Sequence, residues 1–105
     1  MRLLPNEINS IHQYLKTQLS SYDDSQAWLF GSRLNDITKG GDIDICIVTA
    51  LPETAALLRK RLHYFRSELR ELLDDQRVDI SIIDQQTAMT QPFWQQALKE
   101  AVAIL

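Results

Sequence analysis

At 105 residues, with 24% charged and 45% hydrophobic side chains, the chain has the make-up of one globular domain with a single core. Its net charge of -3 gives no general electrostatic reason to bind nucleic acid or a membrane surface, and no apolar run approaches the ~18–20 residues that cross a bilayer. A lone cysteine, Cys46, allows no intrachain disulfide framework and no zinc ribbon. The opening MRLLPNEINS puts polar residues where a signal peptide needs its apolar core, so the expected compartment is the cytoplasm.

In chain order, Pro5 stands at a permitted helix-entry position, and Ile8, Ile11, Leu15 and Leu19 recur at helical steps, predicting an amphipathic helix. QAWLF, residues 26–30, reads as a short strand that stops at Gly31. Residues 42–48 read as a second strand, rich in β-branched side chains. From Pro52 to about Asp74 runs the longest helical pattern, with Leu58, Leu62, Phe65, Leu69 and Leu72 as its buried stripe. VDISII, residues 78–83, is a third strand. A polar break follows, then a helix opened by Pro92, and the closing VAIL reads as the end of that helix or a short final strand. Cys46, inside an apolar strand, reads as a small buried hydrophobe. Trp28, Phe30, Phe93 and Trp94 read as core, with a partner-binding patch as the second reading for the last two.

Helices alternating with strands predict an α+β (α/β) fold, a mixed sheet with helices mainly on one face. Side chains alternate across a strand, so each can be split into two rows. Ile43, Ile45 and Ile47 form one row of the second strand, and Asp42, Asp44, Cys46 and Val48 the other. Val78, Ile80 and Ile82 oppose Asp79, Ser81 and Ile83 in the third. If the two strands are neighbours, the helices cover the aliphatic rows and Asp42, Asp44 and Asp79 converge on the opposite face. Two carboxylates on one row lie about 6.5–7 Å apart and repel each other. A divalent cation relieves this, and Mg²⁺ is suited to one or two carboxylates plus substrate phosphates. Spacing alone leaves open that Asp42 and Asp44 are exposed strand-start residues.

All three glycines fall between these strands. Gly31-Ser32, ending a strand, can direct backbone amides at a phosphate, and Arg33 and Lys39 can add charged contacts; taken alone they are equally an ordinary turn with solvated cations. Gly40-Gly41 supplies the turn that delivers Asp42 to the sheet. Arg59, His63, Arg66 and Arg70 share one side of the long helical pattern, either as a solvated face or as a surface for a phosphate tail, RNA or an acidic partner.

Gly31-Ser32, nine intervening residues, Asp42-Ile43-Asp44, and Asp79 on a later strand together resemble the nucleotidyltransferase signature of the DNA polymerase beta superfamily. In length the chain is similar to the minimal nucleotidyltransferases, many of which serve as the antitoxin of a toxin–antitoxin pair with a HEPN-type helical protein. The resemblance implies a polymerase-beta-like fold over residues 1–105 as one domain. It implies two Mg²⁺ ions held by Asp42, Asp44 and Asp79, which are also the catalytic residues. ATP or another NTP would be bound through Gly31, Ser32, Arg33 and Lys39. The implied reaction is transfer of an NMP, AMP above all, to a hydroxyl, with Asp79 helping to deprotonate it. Leu34-Asn35-Asp36 departs from the A-R-G that often follows G-S-R in the family, and Lys39 can restore the missing charge. Because larger relatives carry an extra helical domain for the acceptor, a HEPN-type partner is the expected acceptor, homodimerisation is compatible, and nucleic acid is not expected as a direct ligand. Two other readings stay open: a degenerate binding module that neutralises a partner by occlusion, and a transferase acting on a small molecule such as an aminoglycoside.

Overall fold

The computed structural model describes residues 5–22, 25–30, 43–73 and 77–105. In chain order these form α1 (Pro5–Gln18), β1 (Gln26–Phe30), β2 (Ile43–Thr49), α2 (Pro52–Arg59), α3 (Leu62–Leu72), β3 (Val78–Asp84), α4 (Gln85–Thr90), α5 (Pro92–Lys99) and β4 (Val102–Ala103). The strands build one mixed sheet in the order β3-β2-β1-β4. β2 and β3 are parallel, while β1 is antiparallel to both β2 and β4. A parallel pair needs a long crossover, which α2 and α3 provide. The fold is α+β, as the alternation of elements predicts.

The aliphatic rows are the core. Ile43, Ile45 and Ile47 of β2 and Val78, Ile80 and Ile82 of β3 pack with Ile11 and Leu15 of α1, Leu58 of α2, and Phe65 and Leu69 of α3. Each such side chain removed from water contributes about 1.5–3 kcal/mol. His12 Nδ1 lies 2.6 Å from the carbonyl oxygen of Ile104. A carbonyl can only accept, so the imidazole donates there and ties the end of the chain to α1.

The expected single helix from Pro52 is two. It breaks at Lys60-Arg61, where the Lys60 amide bonds to Leu58 O and the Arg61 amide to Leu58 O at 2.9 Å. Leu58, Phe65 and Leu69 of the expected stripe stay buried on the two sides of the break, and the stripe departs from expectation only in the last turn of α3. Phe65, Leu69 and Leu73 are buried at four-residue steps, and Leu72, expected in the core, is 52% exposed. VAIL provides β4, the second of its two readings.

The polar stretch after β3 contains α4, a helix that the sequence pattern does not announce. Its start is fixed by Asp84, the last residue of β3, whose carboxylate accepts from the Thr87 amide at 3.3 Å and from the Thr87 hydroxyl at 2.7 Å. Those bonds, the Thr87 hydroxyl foremost, hold the Asp84 carboxyl below its ordinary range. A depressed folded-state value means that the stabilisation is present above the unfolded carboxylate's value of about 3.9 and is lost as pH falls through the folded value. Asp84→Ala should therefore lower stability by about 1 kcal/mol at neutral pH, a fall in Tm of about 4–8 °C by thermal circular dichroism. The gap to the wild type should close in acid.

Candidate active site

The second rows of β2 and β3 carry the chemistry. Parallel pairing runs in strict step: Ile43 with Val78, Asp44 with Asp79, Ile45 with Ile80, Cys46 with Ser81. Asp44 and Asp79 are thus direct neighbours on adjacent strands, whose spacing is about 4.8 Å, and both are half-buried. Further along the same row, Cys46, Val48 and Ile83 are buried with Trp28, Ala88, Trp94 and Leu98, so α4 and α5 cover that part of the face. The helices are thus not confined to the aliphatic face, and Asp44 and Asp79 lie at the end of the row away from α4 and α5. Phe93, expected in the core, is 66% exposed, while its neighbour Trp94 packs inward.

Across the sheet, Phe30 of β1 pairs with Asp44. The strand that leads into Gly31 therefore ends beside the carboxylate pair. Gly31, Ser32, Arg33, Lys39 and Asp42 lie outside the described residues.

Two half-buried carboxylates side by side repel unless a cation or hydrogen-bond donors compensate. Their oxygen-only donor set suits a hard divalent ion of the Mg²⁺ class. Among the described residues no group of three His, Cys, Asp or Glu side chains could hold a metal, and the remaining carboxylate of the expected set is Asp42. Cys46, two residues along the row, does not add a thiolate. Burial pushes its thiol up to about 12, so it stays protonated and inert at neutral pH.

Asp79 also borders a cleft of about 420 Å³ lined by His63, Arg66, Ser67 and Arg70 of α3 and by Arg77 and Val78. The expected stripe is thus divided. His63, Arg66 and Arg70 face this cleft, whereas Arg59, before the helix break, donates from Nε to the carbonyl of Ile82 at 3.0 Å. Arg77 is the cleft residue that the sequence reading does not single out, although its place two residues before Asp79 is a signal that could find it. A second cavity, of about 510 Å³, lies at the β4 edge among Ile8, His12, Leu29 and Val102, and neither Asp44 nor Asp79 lines it.

No helix among the described residues is long and apolar enough to cross a membrane. Compared with proteins of curated function, the chain finds no match. Compared with protein families, residues 8–103 match the nucleotidyltransferase domain. That span takes in all three glycines, Asp44 and Asp79, and the four described strands, and with it the chain belongs to the nucleotidyltransferase domain family.

Proposed function

We propose that this nucleotidyltransferase moves AMP from ATP, with Mg²⁺, to a hydroxyl on a helical partner protein of the HEPN type, as the antitoxin of a toxin–antitoxin pair. The observation that carries the reaction is the in-register pair Asp44 and Asp79 next to the end of β1. Asp42, Asp44 and Asp79 would hold Mg²⁺, which supplies neutralisation of the triphosphate and of the leaving pyrophosphate. Gly31 and Ser32 would hold the β- and γ-phosphates, with Arg33 and Lys39 adding charge. As the acceptor oxygen bonds to the α-phosphorus, the bond to the β-phosphate oxygen breaks and the hydroxyl proton passes to Asp79. The test incubates the chain with α-labelled ATP, Mg²⁺ and its candidate partner. Label is expected on the partner and lost with EDTA. A folded chain that binds no nucleoside triphosphate by calorimetry, even beside that partner, removes the basis of this reading.

Occlusion without catalysis is the second reading, favoured by Leu34-Asn35-Asp36, where Asp36 adds a negative charge near the expected phosphate position. It expects Asp44→Asn to neutralise the partner as well as the wild type does.

A further inference from the structure

We infer that the basic cleft between α3 and the start of β3 receives an acidic, extended segment of the acceptor protein, presenting its hydroxyl to Asp79. This rests on the reading of Asp44 and Asp79 as the reacting edge.

Three observations carry it. The first is charge. In a chain of net charge -3, the described lining of the cleft holds Arg66, Arg70, Arg77 and His63 and one acidic residue, Asp79. Guanidinium forks match carboxylates in two-point hydrogen bonds, and Ser67 adds a neutral hydroxyl to the lining.

The second is backbone. The amide of Ile43 donates to the carbonyl of Arg77 at 3.0 Å, so residues 77, 79 and 81 address β2. The amides and carbonyls of Val78, Ile80 and Ile82 then point away from β2, at the outer edge of the sheet that the described residues form. Arg59 occupies the Ile82 carbonyl, which closes one end of that edge. Val78, at the other end, lines the cleft. An extended segment can add there as a further strand, its main chain supplying affinity and its side chains meeting the arginines.

The third is place. Asp79 borders the cleft and belongs to the carboxylate pair, and a strand added along β3 alternates its side chains between the two faces, so some meet the arginines on the α3 side and the next ones lie on the carboxylate side.

The same features weigh against other occupants. Three arginines repel a cationic acceptor such as an aminoglycoside. A nucleic-acid strand is repelled at long range by the net negative charge, and among the described residues no Phe, Tyr or Trp lines the cleft to stack its bases.

The test is fluorescence anisotropy without ATP or metal, using labelled probes of equal length. They are a peptide with a central tyrosine flanked by glutamates, its lysine-flanked counterpart, and single-stranded RNA. The wild type is expected to bind the acidic peptide in a salt-sensitive manner and to ignore the lysine peptide. Arg66→Ala/Arg70→Ala should weaken the acidic peptide about tenfold. Both side chains are exposed on α3, so the variant should keep its circular dichroism spectrum. Unchanged affinity in the variant overturns the inference, as does tighter binding of RNA that the same variant loses. Failure of the reaction is separable. A chain that binds the acidic peptide yet never transfers AMP keeps this cleft and loses the proposed chemistry. One that labels its partner with unchanged KM in Arg66→Ala/Arg70→Ala keeps the chemistry and loses the cleft.

Discussion

Asp44→Asn and Asp79→Asn should each lower nucleotidyl transfer, read as the proposed AMP transfer, by on the order of 10³-fold while leaving the fold intact, measured as initial rates of label transfer. Each change keeps the size of the side chain and removes one anionic oxygen donor from a pair that the β2–β3 register holds side by side. Amide oxygens ligate Mg²⁺ poorly and cannot take a hydroxyl proton, so the loss should fall on kcat. Glutamate should not rescue either position. The longer stem moves the carboxylate by a methylene, and positioning supplies much of the rate. A second readout needs no turnover. Mg²⁺ at ten times its dissociation constant should stabilise the wild type by about 1.4 kcal/mol, a rise in Tm of about 4–8 °C per kcal/mol. The doubly substituted Asp44→Asn/Asp79→Asn chain should show no rise. Wild-type rates in either single variant, or an equal Mg²⁺ shift in the double, would dismiss the carboxylate pair as a metal site.

This pair is legible in the sequence because its chemistry conflicts with its setting. A row with Asp at one end and Cys46 and Val48 at the other cannot be explained by burial alone, and the period of two assigns it to the correct face. The parallel pairing of β2 with β3 is equally legible, since two wholly β-branched rows separated by helices admit few other arrangements. Other features depend on contacts that no local pattern encodes. The break at Lys60-Arg61 has no proline or glycine to announce it, and periodicity alone does not tell Leu72 from Leu73, three and four residues after Leu69, of which Leu73 is the buried one. QQTAMT hides α4 because it has no apolar period; the helix forms because Asp84 caps it at the exit from β3. Arg77 lies just before its strand, outside the stripe that holds the other cleft arginines.

Phe65→Ala should be the most damaging single change in the scaffold, costing about 3–5 kcal/mol. Phe65 is fully buried on α3, packs into the main core, and meets Tyr14 edge-to-face with ring centroids 6.5 Å apart. The Arg61 guanidinium stands 5.3 Å from its ring centre. Truncation therefore removes a large apolar surface, one aromatic pair and one cation–π contact, and leaves a cavity under the helix break. Against a total stability of about 5–15 kcal/mol this is a large fraction, and Tm should fall by about 15 °C or more. Phe65→Leu keeps most of the volume and should cost about 1–1.5 kcal/mol. Leu72→Ala, nearly two turns further along the same helix, should change stability by no more than about 0.5 kcal/mol, because its side chain is largely in water. Burial of Leu72, as the expected stripe has it, would instead make its truncation cost about 2–5 kcal/mol. Urea unfolding of the three variants decides whether the buried face of α3 runs through Phe65 and Leu69 to Leu73 or to Leu72.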